Sequence, residues 1–311
     1  MSAMGRRPQS LAACINGFVK YLESNPGYYS PRTVVHYRDG CNTIFRLLVL
    51  YDDEVLPYTV TKQHVDWLIA EMQRRHYAIK TRKIYLNILR QICKYYNNNV
   101  FDKVKYRFPS DMRPHVDWLT EDQARRLLEM PKDIRQELVV HLELCLGLRR
   151  VEVVRLRVQD IRDGYLNVLG KGAAGGKPRS VPFHRDTKDL LDRFLQYRDA
   201  LIEQFRLDHP RMQQIIVPDS LLIWKSRNSL NSYAEKGTGI DKMLMQLGKE
   251  LGVKFTSHTL RRTFGRLLYR ADPNSFHVIS KIYGHENGEV TYRYLGLDMD
   301  DMTGAMASFP L

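Results

Sequence analysis

"LGLRRVEVVRLRV", residues Leu146–Val158, sets a glycine, an arginine and an acid where two helical patterns meet. Upstream, the apolar spacing from Asp133 to Leu146 predicts a helix that stops at Gly147. Downstream, "RVEVVRLRV" predicts a short second helix, with Glu152 three residues after Arg149 and so within pairing reach. Further out, Thr120-Glu-Asp-Gln123 reads as a capping box that starts an earlier helix. Past Val158 the pattern changes. Tyr165–Leu169 and Arg179–Phe183 read as two short strands joined by "GKGAAGGKP", a glycine-rich polar hairpin tip. Helices resume from Asp186 and return at about 239–251, 259–271, 275–283 and 289–294. Residues 205–236 read as irregular, with one strand at Leu221–Trp224. The fold class expected is mainly α, with a small antiparallel β-sheet in its second part.

Residues 10–97 carry helical periodicity alone. Leu11, Ile15, Phe18, Val19 and Leu22 share one face, and Asn25-Pro26-Gly27 breaks it. Ser30-Pro31 opens a second helix, Thr61 caps a third that runs to Arg75, and a fourth extends from Ile79 to Tyr96. The exposed face of the fourth holds Lys80, Arg82, Lys83, Arg90 and Lys94. Such a row is either solvated surface or a set of phosphate contacts. "KVKYRFPSDMRPH", Lys103 to His115, lacks periodicity and carries two prolines, as a linker does. The division expected is an all-α domain at 1–106, a linker at 107–117 and a second domain at 118–311.

Charge favours a polyanion partner. The chain has 311 residues and a formal net charge of +13. Residues 1–110 hold 17 basic and 8 acidic side chains, while residues 111–311 hold 31 and 27. A basic first third suits nucleic acid, with a basic but inert surface as the alternative. Lys103 and Lys105 extend the basic series toward the linker. Cys14, Cys41, Cys93 and Cys145 are scattered without CxxC pairing, which suits a reducing compartment and indicates neither disulfides nor zinc. No secretory signal opens the chain and no apolar run has the length of a membrane span, so a cytoplasmic protein is expected.

The chemistry has to be built from cations and a phenol. No acid cluster has metal-ligand spacing, and no GxxxxGK[ST] loop is present, so neither a metal nuclease nor an ATP motor is indicated. "SHTLRRTF" sets His258 and Arg261 three apart at a helix start. "YGH" places His285 after a glycine, and Tyr292 and Tyr294 follow. Guanidinium forks can grip phosphate oxygens, imidazoles can donate to them or move a proton, and a hydroxyl can attack. Each residue has an ordinary alternative: His258 as a helix cap, Arg149 as a surface partner of Glu152, Lys171 as a solvated turn residue, the tyrosines as packing aromatics.

Taken in order, "GLRRVE", "GKG" before a strand ending "VPF", "HTLRRTF", "YGH" and a tyrosine nine residues after His285 resemble the tyrosine recombinases, the family of phage-type integrases and Xer-type resolvases. The resemblance spans about residues 118–300, and the first 106 residues resemble that family's SAM-like core-binding domain more loosely. It implies the DNA breaking-rejoining enzyme fold. It also implies Arg149, Lys171, His258, Arg261 and His285 as catalytic residues, Glu152 as support and Tyr294 as nucleophile. Tyr283 stands where the family's "LGH" has leucine. Lys177 is a second lysine in the same hairpin, and Lys171 is preferred by its place in "GKG". On a helix Tyr292 and Tyr294 point to different sides, which makes Tyr292 the decoy.

The resemblance further implies a 3′-phosphotyrosyl intermediate, formed without metal, ATP or another cofactor. The partner implied is double-stranded DNA at recombination sites, bound by a tetramer spanning two duplexes, in the nucleoid and with no membrane. A mobile genetic element is one setting. The tail "LGLDMDDMTGAMASFPL" packs either on a neighbouring subunit or on its own domain. Two other readings of the chain stay open: a silent DNA-binding regulator on the same fold, and a type IB topoisomerase.

Overall fold

The computed structural model describes residues 9–25, 27–102, 104, 106, 108, 117–170, 176–212, 214–233, 239–285 and 287–297. These fall into two compact units, residues 9–108 and residues 117–297. Lys103, Lys105, Lys171, most of the stretch read as a linker and the tail beyond residue 297 lie outside the described residues. No helix among the described residues is long and apolar enough to cross a membrane.

The first unit is built from α1 (Leu11–Glu23), α2 (Pro31–Leu48), α3 (Lys62–Arg74) and α4 (Ile79–Tyr95). The caps are those the sequence signals. Ser10 accepts from the Ala13 N–H, and Ser30 accepts from the Thr33 N–H with Pro31 in the first turn. The apolar faces meet in one core that includes Phe18, Leu22, Ile44, Phe45, Leu68, Met72, Leu89 and Ile92. The Tyr96 hydroxyl donates to the Cys14 carbonyl at 2.8 Å inside that core and ties the end of α4 to α1. Cys14, Cys41 and Cys93 are buried as free thiols, in line with a role as small apolar residues.

Burying one face of α4 leaves its opposite face to solvent. Lys80, Lys83, Arg90 and Lys94 are exposed there. Arg82 is half-buried and turns instead toward Gln73, with Nη1 3.4 Å from Oε1. Aromatic side chains lie beside the cations. The Lys83 ammonium is 5.9 Å from the Phe108 ring, and the Arg90 guanidinium is 5.4 Å from the Phe101 ring.

The second unit runs through α5 (Glu121–Glu129), α6 (Ile134–Leu144), α7 (Arg150–Arg155), β1 (Ile161–Arg162), β2 (Tyr165–Leu169), β3 (Pro178–Pro182) and α8 (Arg185–Asp208). It continues with β4 (Ile223–Lys225), β5 (Leu230–Ser232), α9 (Gly239–Leu251), α10 (Ser257–Ala271), α11 (Phe276–Tyr283) and α12 (Gly288–Leu295). The Thr120–Gln123 capping box forms as its spacing predicts. The strands make an antiparallel sheet in the order β1-β2-β3, with Tyr165 opposite Pro182 and Leu169 opposite Pro178. Leu166, Val168 and Val181 point from its inner face into a core shared with α5, α6, α8, α9 and α10.

Residues 205–236 depart from the irregular reading. The helix α8 continues to Asp208, and β4 pairs with β5 in a separate hairpin. Phe205, Ile202, Ile223 and Leu230 close a small satellite core between them. Arg198 fixes the connecting loop: Nη2 donates to the Pro218 carbonyl at 2.6 Å and Nε to the Ser220 carbonyl at 3.3 Å.

Candidate active site

Glu152 organises the centre. Gly147 ends the α6 segment with a φ of +63°, which permits the sharp exit that an L side chain resists, and a Cβ there would strike the Phe264 ring. The turn makes Arg149 the residue just before α7 and Glu152 the third residue within it. The Glu152 carboxylate is 1% exposed and accepts from the Arg149 backbone N–H at 2.7 Å and from Arg149 Nη1 at 2.8 Å. Arg179 on β3 grips the same carboxylate with Nη1 at 2.8 Å and Nη2 at 2.9 Å. Arg261 on α10 brings Nη1 to 3.6 Å from it. Burial pushes the Glu152 carboxyl up, but hydrogen bonding and charge from Arg179, then the Arg261 charge, outweigh it and hold the pKa below the usual range.

Three guanidinium groups thus face one carboxylate, and the centre is cationic. Arg261 is 1% exposed, donates from Nη2 to the Tyr283 carbonyl at 2.8 Å and hydrogen-bonds the Gly147 carbonyl through Nη1. Burial and the neighbouring Arg149 charge bring its pKa down to about 10. The Tyr283 ring lies 4.0 Å from the Arg261 guanidinium carbon, and its hydroxyl donates to the Arg261 carbonyl. Tyr283 therefore packs as a fully buried support for Arg261 at the position where the family pattern has leucine.

The nucleophile candidate closes the other side. Tyr294 on α12 holds its hydroxyl 3.5 Å from His258 Nδ1 and 3.4 Å from the His258 carbonyl. Its ring stands edge-on to Tyr283 at 5.4 Å and to His285 at 5.8 Å, with the Arg262 guanidinium 5.0 Å away. Burial raises the phenol pKa, and Arg261, Arg262 and Arg149 pull against it without reversing it. Tyr294 is thus a neutral phenol at physiological pH. Tyr292 turns away, its ring 6.5 Å from that of Phe276, so helix geometry separates the two tyrosines as their spacing predicts.

His285 follows Gly284, whose φ of +63° ends α11. Its Nδ1 lies 2.9 Å from Thr291 Oγ1. Burial first, then the Arg261 and Arg149 charges, depress its pKa to about 4, so the ring is neutral at physiological pH.

The structure thus gathers Arg149, Glu152, His258, Arg261, His285 and Tyr294 from four separate helical segments. Arg179 and Arg262 belong to the same cluster and were not singled out in the sequence. The hairpin register was the one available signal for Arg179. Lys171 lies outside the described residues, while the Lys177 carbonyl accepts from the Gly170 N–H at 2.9 Å at the base of the hairpin. Among the described residues no group of three or more His, Cys, Asp or Glu converges as metal ligands.

The phage integrase family model matches residues 117–300, which contain every member of this cluster. The chain belongs to the phage integrase family. Among its relatives in that family, tyrosine recombinase XerA of Pyrococcus furiosus is 24% identical over 241 residues, covering 76% of this chain and 77% of that protein. Tyrosine recombinase XerA of Saccharolobus solfataricus is 25% identical over 232 residues, covering 75% and 68%. The fold is that of solved members. XerH site-specific recombinase bound to palindromic difH substrate superposes with a TM-score of 0.63 at 16% identity, covering 99% of this chain and 98% of that one. A lambda integrase tetramer bound to a Holliday junction gives 0.63 at 19% identity, covering 89% and 74%.

Proposed function

We propose that this phage integrase family member is a tyrosine site-specific recombinase and that the cluster around Glu152 is its strand-cleavage centre. The observation that carries the reading is the position of the Tyr294 hydroxyl, 3.5 Å from His258 Nδ1, beside Arg149 and Arg261, which share Glu152. A phenol is a poor nucleophile as it stands, with only ~0.1% ionised at pH 7 even when unperturbed. His258 accepts the proton as the Tyr294 oxygen attacks the phosphorus of a DNA phosphodiester. The new bond joins Tyr294 to the 3′ phosphate, and the bond to the 5′ oxygen breaks. Arg149 and Arg261 balance the charge that grows on the non-bridging oxygens, each well-placed donor contributing on the order of 3 kcal/mol. His285 hydrogen-bonds one of those oxygens. Lys171 protonates the departing 5′ oxygen, which leaves as a 5′ hydroxyl. Glu152 and Arg179 keep the two phosphate-facing guanidiniums in place before DNA arrives, so little reorganisation is left for the reaction.

The phosphotyrosyl bond conserves the energy of the phosphodiester, and a 5′ hydroxyl from a second duplex can reseal it. Exchange of that kind is carried out by a tetramer on two duplexes in the cytoplasm, on nucleoid DNA. The exposed cations of α4, with Lys103 and Lys105, make residues 1–106 the core-binding half of the DNA clamp, and residues 118–311 form the catalytic half. The test uses pairs of duplexes carrying a site selected from a randomised library. Joined recombinant products that form with chelator present and without ATP support the proposal. Supercoil relaxation without joined products identifies a topoisomerase, and binding without any cleavage identifies a regulator.

A further inference from the structure

We propose that Ser280 and Thr291 form a hydroxyl relay that fixes the tautomer of His285, so that its Nε2 carries the proton and faces the phosphate as a donor. The inference deepens the proposed cleavage centre and rests on that reading for its catalytic consequence. Thr291 is fully buried on α12, and Ser280 is half-buried on α11. The Ser280 hydroxyl donates to Thr291 Oγ1 at 2.9 Å. With a lone pair so occupied, Thr291 keeps its own proton for another acceptor, and His285 Nδ1 lies 2.9 Å away. Ser280 Oγ also lies 3.2 Å from the Phe276 carbonyl, and the shorter contact, to Thr291, is the stronger for an O–H donor. A neutral imidazole has one N–H. Once Nδ1 accepts, that proton belongs to Nε2.

The backbone holds the relay in register. The His285 N–H donates to the Ser280 carbonyl at 3.0 Å, across the turn at Gly284. Both hydroxyls and the imidazole are therefore set by one helix end and one buried threonine. Ser280 and Thr291 are positioning residues: they act through His285, by deciding whether it donates or accepts. A His285 locked as donor cannot compete with His258 for the Tyr294 proton, which separates the two imidazoles into one base and one oxygen-stabilising donor.

The experiment reads the tautomer directly. Protein labelled with 15N-histidine, free of DNA, is examined by long-range 1H–15N correlation at pH 7, with the His285 signals identified by their loss in His285→Gln. The relay predicts an Nε2–H pattern in the wild type, its retention in Thr291→Ser, and a shift toward Nδ1–H or a mixture in Thr291→Val, which matches threonine in shape but lacks the hydroxyl. On a nicked suicide duplex, Thr291→Val should slow covalent attachment by roughly 10-fold and Thr291→Ser by less than about 3-fold, the scale of one hydrogen bond. An Nδ1–H pattern in the wild type, or an unchanged tautomer in Thr291→Val, overturns the relay. The tautomer is measured without DNA, so a protein that attaches to no duplex refutes the cleavage reading and leaves the relay standing on its own result.

Discussion

Arg179 and Glu152 meet as a two-pronged ion pair across 27 residues of sequence, Nη1 to Oε1 at 2.8 Å and Nη2 to Oε2 at 2.9 Å, while Arg179 Nε donates to the Ile282 carbonyl at 2.7 Å. One side chain on β3 thereby joins the carboxylate that holds Arg149 to α11, which ends just before His285. Glu152 is 1% exposed, so its charge is tolerable only while these donors surround it. Arg179→Met should destabilise the protein by about 3 kcal/mol, the lower end of the cost of breaking a buried ion pair, because Arg149 and Arg261 still face the carboxylate. Arg179→Lys should recover only part of that, since an ammonium cannot reproduce the fork. Urea denaturation of the three proteins checks both statements.

Tyr283 gives a second prediction. Tyr283→Phe keeps the ring against Arg261 and loses only the hydroxyl that donates to the Arg261 carbonyl, a cost of about 1 kcal/mol. Tyr283→Leu, which restores the family pattern, removes the ring that Arg261, Tyr294 and His285 pack against. It should cost more, about 2–4 kcal/mol from the space left behind, and slow cleavage more than Tyr283→Phe does. Unfolding midpoints and single-turnover cleavage rates order the two variants.

Glu143 on α6 predicts a pH dependence of stability. It is fully buried, and burial raises its pKa to about 8 against the opposing Ser257 hydroxyl and Arg150 charge. In the unfolded chain the carboxyl titrates near ~4.3. Below that value both states are protonated and the residue contributes no pH dependence. Between the two values the unfolded chain releases the proton and the folded protein keeps it, so stability falls as pH rises, by up to ~1.4 kcal/mol per unit. Above about 8 the loss levels off. Thermal unfolding between pH 5 and 9 should show this decline in the wild type and a flatter profile in Glu143→Gln, which carries no titrating proton.

The exposed cations of α4 predict the salt response of DNA binding. Lys80→Ala, Lys83→Ala, Arg90→Ala and Lys94→Ala should each weaken binding with little regard to sequence and reduce the salt slope by about 1. Arg82→Ala should change the slope less, because that side chain is half-buried and turned toward Gln73. Fluorescence anisotropy over a salt series distinguishes the two behaviours.

The helices of the first unit were legible because each buries a single face, so Leu11, Ile15, Phe18 and Leu22 repeat with the helix period. The strand Tyr165–Leu169 was legible for the analogous reason, with Leu166 and Val168 buried on one face of the sheet. Of the second hairpin, the strand read at Leu221–Trp224 overlaps β4, while the three residues of β5 carry too little alternation to mark themselves. Arg149, His258, Arg261, His285 and Tyr294 could be read as a set because their order and surroundings resemble the tyrosine recombinase pattern. Arg179 could not, because its link to Glu152 exists only once β3 lies beside α7. The contact of Thr291 with His285 became visible only when the turn at Gly284 brought α11 and α12 together.

Strand cleavage in this centre depends on one phenol, and the residue joined to DNA can be identified chemically. A duplex with the selected site, nicked near the scissile phosphate so that the cleaved fragment diffuses away, is incubated with the protein, and the adduct is digested and sequenced by mass spectrometry. Attack by the Tyr294 oxygen predicts a 3′-phosphoryl link on that residue and no adduct in Tyr294→Phe. Attachment at Tyr292, or an adduct that persists in Tyr294→Phe, would contradict it.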